Sequence, residues 1–280
     1  MNAQPHLLES NQIYTTLNNG VSMPLLGLGV YDVFGLAAER AVMHALDIGY
    51  RLIDTAMIYQ NERDVGNAIR HSGVTRKEIF VTTKVWQTDM GYDGTFRAFD
   101  TSSKKLNVEY IDLYLVHWPI KFKRKDTWRA LEKLYKEKRV RAIGVSNYLL
   151  PFLKEIETYS NITPAVNQIE FSPWLFLQDE LKWCREKKTV LQSYSPLVRG
   201  KKFTDPVVVG LAEKYQKTPA QIILRWNVQL GVSTIPKSGN PKRINENFNI
   251  FDFQLTEEEM KLMGSLNENF RVVEDPMELL

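Results

Sequence analysis

Short apolar segments alternate with longer amphipathic segments along most of the chain. Eight apolar segments are strand candidates, and they cover Leu25–Val30, Leu52–Ala56, Phe80–Trp86, Ile111–His117, Ala142–Ser146, Ala165–Phe171, Val190–Ser195 and Val232–Ile235. They are apolar enough to be buried on both faces, as the strands of parallel sheets are. A hairpin turn signal, Asn18-Asn19-Gly20, precedes the first candidate. The pattern predicts a parallel sheet that follows an N-terminal β-hairpin.

Helix-like segments lie between the strand candidates. The first, Leu36–Ile48, places Ala37, Ala41 and Ala45 on one face at helical spacing, and Gly49 follows it as a candidate C-cap. Similar segments cover Glu62–Ile69, Thr95–Leu106, Thr127–Lys136, Pro151–Glu157, Asp179–Lys187 and Pro219–Gln229, with surplus helices at Asp205–Tyr215 and Thr256–Leu266. We therefore predict an α/β fold, a (β/α)8 TIM barrel with extra helices near the C-terminus, as a single domain over residues 1–280.

A doubly wound open sheet is the alternative architecture. It needs a reversal of strand order, which a sequence does not reveal. Its glycine-rich dinucleotide fingerprint is also incomplete, because Gly27-Leu28-Gly29 is followed by Asp32 where the third glycine belongs. We therefore favour the barrel.

Composition excludes several classes of protein. The 280 residues carry 36 Lys and Arg against 33 Asp and Glu, a net charge of +3, and no basic run interleaves with aromatic residues as in a nucleic-acid groove. No window approaches the roughly 20 apolar residues of a membrane span, and residues 1–10 lack a signal-peptide core. The only cysteine is Cys184, so no intrachain disulfide forms. We expect a cytoplasmic protein without a nucleic-acid or membrane partner.

Four polar residues lie at or just beyond the C-terminal ends of three consecutive strand candidates. Asp54 and Tyr59 belong to the second candidate, Lys84 to the third and His117 to the fourth. In a barrel, catalytic groups come from these strand ends. Side chains two residues apart share a strand face, so Lys84 lies on the same face as Phe80, and His117 lies on the same face as Leu113 and Leu115. If those faces point inward, Lys84 and His117 both enter the barrel mouth.

This grouping suggests a reaction at a carbonyl. A salt bridge between Asp54 and Lys84 would offset part of the desolvation of each charge. The ammonium would lower the pKa of Tyr59 by favouring the phenolate, which makes Tyr59 a candidate general acid. His117 would supply a second hydrogen bond to the oxygen that Tyr59 protonates. The reaction implied is addition to a carbonyl, although buried Lys–Asp pairs are also often purely structural.

The second half of the chain favours the catalytic interpretation. Polar residues stand at the ends of later strand candidates, in Gly144–Asn147, Val166–Glu170, Tyr194–Leu197 and Ile235–Asn240. Such a rim would suit a large polar ligand. Lys237 and Ser238 follow the eighth candidate, and Arg243 lies in a short helix behind them, where phosphates commonly bind a barrel. Two cations near one loop favour an extra phosphate, unless both are merely solvated loop charges.

Several of these motifs, taken together, resemble the aldo-keto reductases. The resemblance rests on Gly49–Ala56, Tyr59, Asn61-Glu62, Lys84–Trp86, Asp112–Pro119, Gly144–Asn147 and Ile235–Ser238. The motifs occur in the same order as in that family and cover nearly the whole chain. The resemblance implies a barrel that binds NADPH extended across its mouth, without a Rossmann domain.

The resemblance also implies a role for each site residue. Tyr59 would donate the proton, Lys84 and Asp54 would tune it, and His117 would orient the substrate carbonyl. The implied cofactor residues are Ser146, Asn147 and Gln168 at the carboxamide, Tyr194 stacked on the nicotinamide, Ser195 and Leu197 at the pyrophosphate, and Lys237, Ser238, Arg243, Glu246 and Asn247 at the adenosine end. Lys237 and Arg243 near a 2′-phosphate would favour NADP over NAD. No metal is required, and the spacing of the histidines suits none.

The expected substrates are small aldehydes and dicarbonyls. By position in the family, Tyr31, Trp86 and Trp118 would form an aromatic pocket beside His117. The tail after Phe270 is short, so the chain resembles the compact microbial branch that includes glyoxal and methylglyoxal reductases and the protozoan prostaglandin F synthases. Most compact relatives are monomers, and we expect a monomer here.

Two other functions stay open. A Schiff-base lyase would use Lys84 as its nucleophile, but it leaves the polar rim unexplained. A non-catalytic NADPH-binding regulatory subunit would keep the barrel and the rim. The presence of all four of Asp54, Tyr59, Lys84 and His117, here called the tetrad, argues against it.

Overall fold

The computed structural model describes residues 13–279, and within them it contains ten strands and ten α-helices. The strands are β1 (Tyr14–Thr16), β2 (Ser22–Pro24), β3 (Leu28–Gly29), β4 (Leu52–Asp54), β5 (Phe80–Val85), β6 (Ile111–Val116), β7 (Val140–Ser146), β8 (Val166–Glu170), β9 (Val190–Tyr194) and β10 (Ser233–Thr234). The helices are α1 (Gly35–Asp47), α2 (Glu62–His71), α3 (Tyr92–Leu106), α4 (Arg124–Lys136), α5 (Leu150–Glu157), α6 (Gln178–Glu186), α7 (Pro206–Tyr215), α8 (Pro219–Gln229), α9 (Pro241–Phe248) and α10 (Glu257–Gly264). Short 3-10 turns cover Met57–Tyr59, Arg76–Glu78, Gln87–Asp89, Val198–Gly200 and Pro276–Leu279.

Eight strands form a closed parallel barrel. Strands β3 to β10 pair in chain order, each with its sequence neighbour. Parallel bridges join Leu26 to Thr234 and Gly29 to Lys237, so the first strand meets the last. The order contains no reversal, which excludes the doubly wound sheet and confirms the predicted (β/α)8 fold.

The seam where the barrel closes depends on two glycines. A Cβ at Gly29 would lie 2.9 Å from the carbonyl oxygen of Ile235, and one at Gly27 would overlap the side chain of Leu52. These two glycines therefore permit the strands to approach closely at the seam. Their role is steric, so they need not belong to a dinucleotide fingerprint. Strands β3 and β10 contain two residues each, so both are shorter than the predicted segments Leu25–Val30 and Val232–Ile235.

The N-terminal hairpin closes the opposite end of the barrel from the polar strand ends. Strands β1 and β2 pair antiparallel, and Gly20 in their turn has φ +86°. Leu17 and Met23 from the hairpin pack in one buried cluster with Leu52 and Phe80, which begin β4 and β5. The hairpin thus covers the N-terminal ends of the strands.

The barrel interior and the layer between sheet and helices are separate apolar cores. Leu113 and Leu115 pack in the inner cluster with Phe80, whereas Tyr114 and Val116 pack in the outer cluster. The alternation places Lys84 on the inward face of β5, as proposed. It also places His117, the residue after β6, on the inward side with Leu113 and Leu115.

Helix ends follow local capping signals. The hydroxyl of Thr256 accepts a hydrogen bond from the Glu259 amide, and the Glu259 side chain accepts from the Thr256 amide, so the two residues form a capping box at the start of α10. Helices α3 and α4 begin three residues earlier than predicted, at Tyr92 and Arg124. No helix among residues 13–279 is long and apolar enough to cross a membrane.

Candidate active site

The four predicted catalytic residues meet at the C-terminal mouth of the barrel. Asp54 ends β4, Lys84 lies near the end of β5, and His117 directly follows β6. Tyr59 ends the 3-10 turn after β4, and its backbone N–H donates to the carbonyl of Ala56 at 3.0 Å. The parallel register brings these strand ends together, so the grouping follows from the fold.

The Lys84 ammonium is the centre of the group. It is fully buried, and Nζ donates to Oδ1 of Asp54 at 2.6 Å, to the carbonyl of Thr55 at 3.0 Å and to the hydroxyl of Tyr59 at 3.4 Å. The predicted ion pair is therefore present. Because Lys84 donates to the phenol oxygen, the hydroxyl hydrogen of Tyr59 is free to be donated elsewhere.

A polar network extends from Asp54 across the barrel interior. Oδ2 of Asp54 accepts from Nε2 of Gln168 at 2.7 Å, and the same amide donates to Oε1 of Gln192 at 2.7 Å. Gln192 in turn donates to Ser233 at 3.1 Å. Both oxygens of the buried carboxylate are thus satisfied, which fixes its orientation towards Lys84.

Burial dominates the proton affinities of this group. It raises the pKa of Asp54 and lowers that of Lys84, and in each case the partner's charge opposes the shift. Burial, followed by the Asp54 charge, raises the pKa of Tyr59 well above its ordinary value. The prediction that the pKa of Tyr59 is lowered is therefore wrong for this structure, because burial and the Asp54 charge both raise it. Tyr59 is a protonated phenol at neutral pH.

His117 is a neutral imidazole beside the phenol. Burial, assisted by the Lys84 charge, lowers its pKa well below the usual range. The His117 ring lies 5.8 Å from that of Tyr59 and 5.1 Å from that of Trp86, edge to face in both cases. Its Nδ1 is buried without a hydrogen-bond partner among the described residues. A neutral ring carries one N–H, which suits hydrogen bonding to an uncharged carbonyl oxygen.

Asn147 connects the mouth to the later strand ends. Its Nδ2 donates to the carbonyl of His117 at 2.9 Å, and its Oδ1 accepts from the hydroxyl of Tyr194 at 2.7 Å. Its φ of 65° lies in the left-handed region, which asparagine tolerates better than most residues. The hydroxyl of Ser146 donates to the carbonyl of Gln168 at 2.8 Å. These hydrogen bonds connect the ends of strands β6, β7, β8 and β9 along one side of the mouth.

A cavity of about 320 Å³, here called the mouth cavity, opens over the tetrad. It is lined by Asp54, Tyr59, His117, Tyr31, Ile58, Trp86, Trp118, Ser146, Asn147, Gln168, Tyr194, Ser195, Arg199, Lys237 and Val273, among others. The Tyr31 ring lies edge-on to that of Tyr59 at 5.2 Å, and the Tyr31 side chain is 58% exposed. The predicted aromatic side chains therefore line the same cavity as Asp54, Tyr59 and His117.

A second cavity of about 520 Å³, here called the rim cavity, continues from the first. It is lined by Ser195, Leu197, Arg199, Lys237, Ser238, Arg243, Glu246 and Asn247, among others. Ser195, Arg199 and Lys237 line both cavities, so the two form one trench with cations at the junction. Lys237 lies 3.9 Å from the carboxylate of Asp32 on the opposite side of the seam. Each volume is in the range of ligand pockets.

A model of the aldo/keto reductase family matches residues 35–268. The chain belongs to this family. It is 50% identical over 274 residues to a 9,11-endoperoxide prostaglandin H2 reductase of Trypanosoma cruzi, with 96% of each protein covered. It is 49% identical over 265 residues to a glyoxal reductase of Bacillus subtilis, with 94% of this chain and 96% of that protein covered.

Solved aldo-keto reductases have the same fold. One from Bombyx mori, in complex with NADP, superposes with a TM-score of 0.89 at 35% identity and covers 94% of this chain and 95% of its own. One from Brucella melitensis superposes with a TM-score of 0.88 at 44% identity and covers 91% of this chain and 100% of its own. The family assignment therefore rests on sequence and on fold alike.

Several residues of this aldo/keto reductase site were not predicted from the sequence, among them Gln192, Arg199 and Val273. Gln192 lies between Val190 and Tyr194 on the inward face of β9, and a polar residue at such a position is a usable signal. Arg199 resembles its solvated neighbours in sequence, so nothing marks it as lining both cavities. Val273 comes from the C-terminal segment, whose path no local pattern reveals. Among residues 13–279, no three His, Cys, Asp or Glu side chains are grouped to hold a metal ion.

Proposed function

We propose that this aldo/keto reductase reduces aldehydes, ketones and small dicarbonyls such as methylglyoxal to alcohols, with NADPH as the reductant. The observation that carries the proposal is the Tyr59 hydroxyl, a protonated phenol that lines the mouth cavity and accepts a hydrogen bond from Lys84. A proton donor at this position is what a carbonyl oxygen needs as it gains negative charge.

The tetrad would act as one unit in the mouth cavity. The carbonyl oxygen would accept hydrogen bonds from Tyr59 and from the neutral ring of His117, whose centroids are 5.8 Å apart. As Tyr59 gives up its proton, the Lys84 ammonium would stabilise the phenolate through the contact that it already makes. Asp54 would hold that ammonium in place.

The trench suits an extended dinucleotide, and NADPH bound there would supply the hydride that reduces the carbonyl carbon. Tyr194, Asn147, Ser146 and Gln168 would hold its nicotinamide end in the mouth cavity. The adenosine end would lie against Leu197, Ser238, Arg243, Glu246 and Asn247 in the rim cavity, with Ser195, Lys237 and Arg199 at the junction. Cations at the junction and the rim match the charge of the phosphates.

The substrate class is inferred from the size of the mouth cavity and from the relatives. At about 320 Å³, this cavity also has to accept the nicotinamide end of the cofactor, which leaves room for a compact carbonyl compound. Related proteins are named glyoxal reductase and prostaglandin H2 reductase, which brackets small and large substrates. The aromatic lining from Tyr31, Trp86 and Trp118 favours carbonyls with a short apolar or aromatic substituent.

A Schiff-base lyase is disfavoured by the surroundings of Lys84. The side chain is fully buried, and all three N–H donors are used within the protein. A nucleophilic amine needs a free lone pair that reaches the substrate. Here Tyr59 lines the mouth cavity, and Lys84 does not.

The test is consumption of NADPH and NADH by the purified protein with methylglyoxal, glyoxal, phenylglyoxal and 4-nitrobenzaldehyde. We expect turnover with NADPH, slower turnover with NADH, and the alcohol as product. Binding of NADPH without reduction of any carbonyl would support the regulatory subunit instead. An adduct at Lys84 trapped by borohydride would support the lyase.

We further infer that the protein acts as a monomer in a reducing compartment such as the cytoplasm. Cys184 is a buried free thiol, and burial raises its pKa to about 12, so it is poorly suited to disulfide exchange. Light scattering coupled to size exclusion would contradict the first part if it gave twice the 32.5 kDa mass of the chain.

A further inference from the structure

Glu170 is a buried carboxylate at the mouth of the barrel that the tetrad does not use. It ends β8, two residues after Gln168 on the same inward face, and it is 1% exposed. Its neighbour in register on β9 is Tyr194, which lines the mouth cavity. A buried carboxylate needs hydrogen-bond donors, so the identity of those donors indicates what this residue does.

The donors come from the C-terminal segment. The amide of Val272 donates to Oε1 of Glu170 at 2.6 Å, and the amide of Val273 donates to Oε2 at 3.1 Å. The amides of Glu268 and Phe270 donate to the carbonyl of Trp174 at 3.1 and 2.9 Å. Four backbone amides therefore fasten residues 268–273 to the end of β8 and the loop that follows it.

This attachment brings Val273 into the mouth cavity, which Tyr59, Trp86 and Trp118 also line. Burial raises the pKa of Glu170, while its two amide donors and the nearby Arg271 and Arg199 charges oppose the shift. The Glu170 carboxylate accepts hydrogen bonds from two adjacent amides of one segment. Replacing Glu170 with a residue that has no carboxylate would therefore break both bonds and detach the segment at this point.

We propose that Glu170 positions Val273 as part of the cavity wall, and that this determines how the enzyme discriminates between compact and bulky carbonyl substrates. The inference rests on the proposed reductase function. Glu170 is a positioning residue, because it acts on the substrate only through the backbone that it holds. On this proposal, the aromatic substituent of a bulky substrate contacts the wall at Val273, whereas a compact substrate held by Tyr59 and His117 does not.

The experiment compares methylglyoxal with phenylglyoxal for the parent enzyme, Glu170→Ala, Glu170→Gln and Val273→Ala. We expect Glu170→Ala to raise KM for phenylglyoxal about tenfold and KM for methylglyoxal less than about twofold, with kcat nearly unchanged. Glu170→Gln keeps one acceptor oxygen and should give an intermediate shift. Val273→Ala should shift the KM ratio in the same direction. Glu186→Ala on α6, an exposed glutamate, is the matched control.

Amide hydrogen exchange tests the anchor without any turnover. In Glu170→Ala, exchange at Val272 and Val273 should accelerate about tenfold or more, while exchange in β5 and β6 stays at the parent rate. A parallel rise in KM for both substrates, or unchanged exchange at these two amides, would overturn the proposal. If the parent enzyme reduces no carbonyl compound, the proposed function fails, and the proposed role of Glu170 in substrate discrimination fails with it. The exchange rates still decide whether Glu170 holds the amides of Val272 and Val273.

Discussion

The protonation state of Tyr59 is central at the scale of single residues. A phenol on a barrel rim ordinarily faces water, but here burial and the Asp54 carboxylate both favour the protonated form. The same burial holds His117 neutral. In the proposed mechanism these two groups lie nearest the carbonyl of the substrate. At neutral pH both are uncharged and can donate a hydrogen bond, so neither has to gain or lose a proton before the reaction.

The pH profile of kcat/KM follows from these two shifts. The pKa of His117 is lowered from its ordinary 6.5, so the ring stays neutral above that value and gains a proton only well below it. The pKa of Tyr59 is raised from 10.0, so its proton is lost only at still higher pH. We expect kcat/KM for methylglyoxal to be flat between about pH 6.5 and 9. A limb near pH 6.5 that disappears in His117→Gln would contradict this.

The Asp54–Lys84 pair should show strong coupling in stability. Either Asp54→Asn or Lys84→Met leaves a buried partner without its counter-charge, and each should lower the free energy of unfolding by about 3 kcal/mol. The double variant removes both charges and should cost clearly less than the sum of the single variants. Urea denaturation of all four proteins measures this. Additive losses would mean that the contact at 2.6 Å contributes little.

Residue-scale chemistry was only partly predictable from the sequence. The positions of Lys84 and His117 followed from the alternation of apolar residues along two strands, because a strand face is fixed by residue parity. The direction of the pKa shift of Tyr59 could not be predicted in this way, because it depends mainly on how deeply the phenol is buried. Burial of a side chain in a turn is set by the whole mouth and by no local pattern.

At the scale of elements, the seam between β3 and β10 is the most constrained part of the barrel. Gly29→Ala would place a Cβ 2.9 Å from a backbone oxygen, and we expect it to lower the free energy of unfolding by about 1–3 kcal/mol. Gly210→Ala is the matched control, because that glycine lies within α7 with nothing near its Cβ position. The control should gain about 0.5–1 kcal/mol. Equal effects in both variants would contradict the role given to the seam.

Elements were predicted well where apolar periodicity is long and poorly where strands are short. Helix α8 was predicted with its observed limits, Pro219–Gln229, and the structure shows Thr218 as its N-cap with Pro219 directly after it. The first and last barrel strands were predicted too long, because Leu26, Val30 and Val232 are buried apolar residues that lie outside the regular strands. The contact of Glu170 with Val272 spans 102 residues, which periodicity does not reach.

At the scale of the whole molecule, the basic end of the trench should set cofactor preference. Arg243 lines the rim cavity, whereas its neighbour Lys242 is exposed and does not. We expect Arg243→Ala to weaken NADPH binding about tenfold and NADH binding hardly at all, because only NADPH carries the 2′-phosphate. Lys242→Ala should leave both affinities unchanged. Titration of the protein fluorescence gives Kd for NADPH and for NADH with the parent and with each variant. Equal losses of affinity for both cofactors in Arg243→Ala would contradict the assignment.

The proposed mechanism is tested most directly by a single turnover of methylglyoxal by Tyr59→Phe with NADPH already bound. The substitution removes only the hydroxyl that lines the mouth cavity. We predict that Kd for NADPH stays within about twofold of the parent, while the rate of cofactor oxidation falls by about 100-fold or more. A variant that oxidises NADPH within about threefold of the parent rate would contradict the role of Tyr59 as proton donor, and with it the proposed mechanism.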